Sequence, residues 1–337
     1  PPPSAAVPGA YDYARVAWFD GIGATGTLLG PVERLSIVGD RTPPLRERLS
    51  QHIHDRLPGS EGAIAAALAT GDQGAIPEED AEAMRRSGLA HLLSISGLHI
   101  SAMFAGVAFL TLRLLALSPW LALRAPLLLI ATGVGALAAL GYTLLSGAEI
   151  PTIRSLVAAL LVALAIALGR EAITLRLVAA GALVVLLFWP EAVVGASFQL
   201  SFAAITAIVA FHEHPRIRGW FERREEGRLA RFGRGLAALL LTGFIVELAL
   251  APIALFHFHR SGLYGALANI VAIPLTTFVI MPLEAAGLLL DGFGRLIGVG
   301  DLGVPFWWLT GKALALLLWI ARSVAAAPGA VAALPVA

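Results

Sequence analysis

From His91 to residue 326 the chain is a succession of apolar stretches, each about as long as a bilayer is thick, separated by short polar breaks. A hydrocarbon core ~30 Å thick asks for roughly 20 mostly apolar residues in a helix, because every backbone N–H and C=O must be satisfied within the segment. About eight stretches meet this template: 91–117, 125–146, 150–168, 172–189, 192–211, 236–257, 265–290 and 304–326. The expected fold is therefore an all-α polytopic membrane protein. Composition agrees, since 58% of residues are hydrophobic and 14% charged, against about 25% charged in soluble domains. The break at Trp189-Pro190-Glu191 reads either as a turn between two spans or as a re-entrant hairpin. Pro151, Pro252, Pro274 and Pro282 fall within or at the ends of spans, where neighbouring helices must satisfy the freed carbonyls.

The first 90 residues differ in kind. In 1–30, Tyr11, Tyr13, Val16, Trp18 and Phe19 precede a glycine-punctuated run, Gly21 to Gly26, which suggests strand and turn, a short β remnant. The opening Pro1-Pro2-Pro3, with no methionine or signal pattern, reads as the start of a segment of something longer. Residues 31–90 are mixed and charged, with helical periodicity near Leu45–Leu57, Ile64–Leu68 and Asp80–Arg86. Either amphipathic helices lying on the membrane surface or a solvated linker is expected there. Residues 91–330 form the transmembrane domain.

Arginine placement gives an orientation. The loop 212–235 holds Arg216, Arg218, Arg223, Arg224, Arg228, Arg231 and Arg234, so it belongs in the cytoplasm, and Arg113, Arg124, Arg170 and Arg176 flank the other loops this choice places inside. Five crossings precede that loop, which puts the N-terminal 90 residues outside. Eight spans bring the C-terminus outside as well. Arg85-Arg86 breaks the pattern, and that points to a functional reason or a different span count.

Polar residues in and beside the spans are the candidate site, because groups that lose water need a partner, a cavity or a task. On a helical wheel His91, Ser94, Gly97, Ser101 and Ala105 share one arc, with Ser96 and His99 elsewhere. The small-xxx-small series Gly97, Ser101, Ala105 suits close helix approach. Arg154 lies shortly after Pro151 on an apolar segment. A central arginine costs about 2.5–3.5 kcal/mol on insertion scales, so it pairs, snorkels or faces a cavity. Glu149, Glu247 and Glu284 are the available partners. Gln199 and Asn269 are either interhelical hydrogen-bond groups or path contacts. Asp72, Arg85 and Arg86 lie on the outer approach. Trp307, Trp308 and Trp319 read as core and interfacial belt.

Several chemistries find no support. The chain has no cysteine, so disulfides, iron–sulfur clusters and thiol catalysis are excluded. Gly311-Lys312-Ala313 lacks the Walker hydroxyl and glycine spacing, and Ser94-Ile95-Ser96-Gly97 lacks the upstream glycine of a nucleophile elbow. The pairs His52/His54, His212/His214 and His257/His259 have no acidic or cysteine frame to make a metal site. No cofactor, metal or enzymatic activity is expected.

Against this background a resemblance stands out. Gly71-Asp72 and Met84-Arg85-Arg86-Ser87-Gly88-Leu89-Ala90-His91-Leu92-Leu93-Ser94-Ile95-Ser96-Gly97-Leu98-His99-Ile100 resemble the signature of the ComEC-type competence proteins. Ile150-Pro151-Thr152-Ile153-Arg154-Ser155, Ser197-Phe198-Gln199-Leu200-Ser201-Phe202 and Asn269-Ile270-Val271-Ala272-Ile273-Pro274-Leu275 follow in the family's order. Pro8 to Tyr13 and Gly21 to Gly26 are similar to the end of that family's outer OB-type domain. The resemblance implies a bacterial inner-membrane channel taking up single-stranded DNA in natural transformation. It also implies an outer DNA receptor and a cytoplasmic helicase-like ATPase as partners. The metallo-β-lactamase-like domain of many members has no counterpart here, as no His-x-His-x-Asp-His string occurs.

With no motor motif, such a channel is a passive pore driven by its partners. The candidate path or entrance comprises Arg85, Arg86, His91, Ser94, Ser96, His99, Arg154, Gln199 and Asn269. Asp72, Gly97, Glu149, Glu247 and Glu284 are structural or pairing candidates. The alternative is a secondary transporter of a small polar or anionic solute, which broken helices and a buried arginine would also suit.

Overall fold

The computed structural model describes residues 3, 13–19, 22–26, 43–95, 97–148, 150–169, 174–221, 227–258, 260–262 and 264–333. They fall into two units, 1–43 and 44–337. In the first, the expected strand and turn are not seen among the described residues: Tyr13–Phe19 is a helix, α1, and 22–26 are irregular. A lone strand would leave its backbone groups unpaired, whereas a helix satisfies its own.

The second unit begins with α2 (Leu45–Arg56), α3 (Ser60–Thr70) and α4 (Glu78–Arg86). α3 is alanine-rich, a strong helix former. It is buried on every side from Gly62 to Thr70, as a helix apolar all round should be. Then follow α5 (Gly97–Ala116), α6 (Pro119–Arg124), α7 (Leu127–Leu145), α8 (Ile150–Ala167), α9 (Leu175–Phe188), α10 (Ala196–Glu213), α11 (Pro215–Phe221) and α12 (Arg228–Phe258). α13 (Gly265–Leu275) runs through a π-helical segment, Thr276–Ile280, into α14 (Met281–Ile297), and α15 (Val304–Ala325) returns beside it. Two short strands, β1 (Arg260–Gly262) and β2 (Val331–Ala333), pair antiparallel.

All eight expected apolar stretches contain a helix. Among the described residues six helices are long and apolar enough to cross a membrane, while Thr152–Ala167 and Leu175–Phe188 are shorter. The break after α9 is a 3-10 turn, Pro190–Val194, leading into α10. The expected span at 265–290 extends to Ile297, so Asp291 belongs to the helix. The first expected span instead starts late, at Gly97: Ala90–Leu92 is a 3-10 turn and 93–95 are non-helical. Leu92, Leu93 and Ile95 are all buried, the first two in one core and Ile95 in another, which no single helix face allows. His91 and Ser94 therefore do not share a helical arc with Gly97, and Ser101 and Ala105 are exposed rather than packed.

The larger core joins Ile64 and Leu68 of α3, Met84 of α4, and Leu89, Leu92 and Leu93 to Trp307, Leu314, Leu317, Leu318 and Ala321 of α15. Those α15 positions recur at helical spacing, and Trp308 and Trp319 point the other way, exposed. The smaller core collects Ile95 and Ile100, Ala139 and Tyr142 of α7, and Leu156 of α8. α5 and α7 pack at backbone contact. A Cβ on Gly135 would lie 2.6 Å from the Phe104 carbonyl oxygen, and one on Gly133 would meet nothing within 4 Å.

Gly135→Ala should accordingly lower the stability of the detergent-solubilised protein by about 1–3 kcal/mol. Gly133→Ala should leave it unchanged. Thermal unfolding of the two variants side by side checks this, and equal melting temperatures would contradict the packing described.

Candidate functional site

The chain enters the membrane domain through a backbone contact. Gly88 adopts φ +78°, and a Cβ there would sit 2.8 Å from the Gly265 Cα. That contact lays the 84–100 segment against the start of α13, the helix that carries Asn269. The two signature histidines then part company. His91 is exposed, and its carbonyl accepts from the Ser94 hydroxyl at 3.3 Å. His99, one turn into α5, is 0% exposed. Gly97 packs on α8, where a Cβ would meet the Ser155 hydroxyl at 2.9 Å. Ser96 lies outside the described residues.

Arg85 and Arg86 also differ. Arg85 is neutralised on its own helix by Glu82, at 2.8 Å, and Glu78. Its hydrogen bonds to those carboxylates hold its guanidinium pKa above the usual value. Arg86 is exposed and makes no hydrogen bond or ion pair among the described residues. Asp72 accepts from the Ser50 hydroxyl at 2.7 Å and from the Gly74 N–H at 3.2 Å, tying α2 to the loop after α3. The Ser50 hydrogen bond, helped by Gly74 and by nearby Arg46 and His54, holds its carboxyl below the ordinary carboxylate range.

Within the bundle Arg154 is 7% exposed. Its Nη2 donates to the Ser197 carbonyl at 3.1 Å and the Ser197 hydroxyl at 2.6 Å, and Nε has no acceptor among the described residues. Neither Glu247 nor Glu284 pairs with it, and Glu149 lies outside the described residues. Arg154 thus joins α8 to the start of α10 through neutral oxygens. Gln199, half a turn beyond Ser197, donates to the Val193 carbonyl at 2.9 Å, and its Oε1 meets His257 Nε2 at 2.9 Å. This bridges α10 to the end of α12. Glu247 lies beside Gly265.

The helix α13–α14 carries a buried polar series. Asn269 Oδ1, Thr277 Oγ1 and Glu284 Oε1 are buried with no hydrogen-bond partner among the described residues, and Glu284 is 3% exposed. The five-residue π segment lies across this series, a local geometry frequent at functional sites.

Sequence reasoning missed a second network. Asp291, 2% exposed, accepts from Trp307 Nε1 and the Gly303 N–H at 2.8 Å each. It also pairs with His52 at 2.9 Å and Arg56 at 3.0 Å. Arg56 reaches Asp301 too, and Arg295 donates to His52 Nδ1 at 2.8 Å. Asp80 receives Arg322 at 2.5 and 3.0 Å. The available signal was a carboxylate at the end of an apolar stretch, facing an arginine- and histidine-bearing helix far away in sequence. Of the paired histidines, His52 thus serves this network, His257 meets Gln199, and His212 bonds the Ile208 carbonyl of its own helix at 2.8 Å.

A protein-family model described as Competence protein matches residues 68–337, which hold Asp72, Arg154, Gln199, Asn269, Glu284 and Asp291 but not His52 or Arg56 of α2. The chain belongs to the competence protein family. It is 30% identical over 331 residues to Competence protein ComA of Neisseria gonorrhoeae, covering 93% of this chain and 44% of that protein. It is 28% identical to ComE operon protein 3 of Bacillus subtilis (88% of this chain, 36% of that protein). It is 30% identical to the uncharacterized protein YcaI of Escherichia coli (77% and 33%). The chain therefore spans between a third and a half of these relatives. No solved structure matches it.

Asp72 lies outside the spanning helices and offers a pH test. A depressed carboxyl pKa stabilises the fold above the unfolded value, and that stabilisation is lost as pH falls through the folded value. The melting-temperature gap between the wild type and Asp72→Asn should be largest near neutral pH and close below about pH 4. A gap independent of pH would remove Asp72 from this role.

Proposed function

We propose that this chain is the membrane-crossing part of a channel that takes up single-stranded DNA in natural transformation, a passive route in the bacterial inner membrane. Family membership over 68–337 supports the process. The observation that carries the mechanism is a set of buried polar atoms in the apolar helices that have no protein partner among the described residues: Arg154 Nε, Asn269 Oδ1, Thr277 Oγ1 and Glu284 Oε1. Each unsatisfied buried group costs about 1–3 kcal/mol, so a sealed bundle would have little reason to keep four. A route that opens to water and to a polar strand satisfies them. Passage also requires that contacts be weak enough to release the strand. One buried arginine held by neutral oxygens suits that better than a dense basic groove.

In this reading Arg86 and His91 stand at the entrance, where both are exposed, and Arg85, paired with its own helix, contributes little attraction. Ser94 lies behind them, and His99, buried at the start of α5, meets the strand only when the route opens. Arg154, Gln199 and Asn269 flank the path deeper down. The N-terminus and α4 face outward and the loop 212–235 faces the cytoplasm. An outer receptor delivers the strand, and a cytoplasmic helicase-like ATPase draws it in.

Arg154→Ala in the full-length protein should leave membrane insertion intact and cut uptake of labelled DNA at least tenfold in a complemented deletion strain. Arg154→Lys should restore part of it. Normal uptake by a well-expressed Arg154→Ala variant would refute the role. A reporter fused within 216–234 should show cytoplasmic activity, and periplasmic activity there would reverse the orientation.

A further inference from the structure

The antiparallel pair made by α13–α14 and α15 has two ends, each marked by contacts. At one end the Tyr264 hydroxyl donates to the Pro328 carbonyl at 3.0 Å, Gly88 abuts Gly265, and Asp80 of α4 receives Arg322. At the other end is the turn 298–303, where Asp301 receives Arg56 of α2 and Asp291 holds His52 and Arg56. Between them α15 runs 22 residues, or ~33 Å, close to the thickness of a hydrocarbon core. Residues 56 and 80 are thus bound at opposite ends of a pair long enough to cross the membrane, with only the 11-residue α3 and a short loop between them. A helix pair lying flat on one surface could reach only one end.

The path of α2 is equally marked. Its Arg46 guanidinium lies against Gly147 and Gly71, at the level where α7 ends and Ile95 enters the smaller core. Its far end, ten residues on, is Arg56 at the 298–303 turn. α2 therefore descends, and α3 climbs back until the Leu68 carbonyl accepts from the Tyr142 hydroxyl.

We propose that α2 and α3 form a re-entrant helical hairpin, and that the polar face of α2 lines a water-filled vestibule within the thickness of the membrane. That face carries Glu47, Arg48, Gln51 and Asp55, all exposed. Charged groups at membrane depth face a bundle interior or a water-filled cavity rather than lipid. A second, independent feature opens into the same space. An open cleft of about 480 Å³ lies between the hairpin tip and α15, lined by Asp55, Arg56 and Glu61 on one side and Trp307 and Lys312 on the other. Lys312 is exposed nine residues into a spanning helix, ~12 Å from its start. A lysine there, opposite two carboxylates, calls for water at that depth. The hairpin rests on α14 and α15 being spans, and it holds whatever solute the protein carries.

The chain contains no cysteine, so a single introduced thiol is unique in it. Asp55→Cys, Lys312→Cys, Glu79→Cys and Leu289→Cys should be treated with a membrane-impermeant maleimide in spheroplasts and in inside-out vesicles. Asp55→Cys and Lys312→Cys should label from one side only, and Glu79→Cys, on α4, from the opposite side. Leu289→Cys, on the exposed apolar face of α14, should label from neither. Labelling of Asp55→Cys and Glu79→Cys from the same side would overturn the hairpin. Failure of both Asp55→Cys and Lys312→Cys to label from either side would overturn the vestibule.

Discussion

A single carboxylate organises the part of the molecule that is hardest to explain from hydropathy. Asp291 accepts from the Gly303 backbone and the Trp307 indole, which closes the turn between α14 and α15, and then binds His52 and Arg56, which docks α2 on that turn. Four donors converge on one buried charge. Removing one partner of such a group leaves the rest uncompensated, a loss of about 3–5 kcal/mol in comparable buried pairs. The placement of the polar N-terminal helices against apolar ones depends on this junction. Hydrophobic burial alone would align α3 with α15 but would not choose which end of α15 receives Arg56.

Elsewhere polar contacts act as ties between neighbouring helices. Arg154 links α8 to α10 through Ser197, and Gln199 links α10 to α12 through His257. Interhelical hydrogen bonds in membranes average only ~0.6 kcal/mol, so these ties orient helices more than they stabilise them. The apolar packing does the stabilising: small residues such as Gly135 let α5 and α7 approach to backbone contact, where dispersion is strongest.

The helices themselves were legible in sequence, because lipid leaves the backbone few alternatives and apolar length reports directly on span. All eight stretches carry helices, and the belt-and-core reading of Trp307, Trp308 and Trp319 matches their burial and exposure. What escaped was tertiary. The 91–96 segment looks like the first turn of a span, yet Leu92 and Ile95 are claimed by two different cores, and the helix waits until Gly97. Arg154 invited a carboxylate partner and found a serine. No local pattern announces that choice, since Ser197 lies 43 residues away. Asp291 was passed over for the same reason: its partners His52 and Arg56 are more than 230 residues away in sequence.

The contrast among the arginines bears on what a strand would meet in the proposed channel. Arg85 is paired with Glu78 and Glu82, and Arg56 with Asp291 and Asp301, so their fields are largely cancelled at short range. Among the described residues Arg154 is bonded to neutral oxygens, so no carboxylate there cancels its field. Inside a low-dielectric bundle an uncancelled charge is felt over longer distances than at a surface, where salt screens it within about 8 Å. In the proposed channel one such charge per transit path would attract a phosphate without trapping a chain of them. There Gln199, held by the Val193 carbonyl and His257, would exchange its hydrogen bonds with passing bases at little net cost.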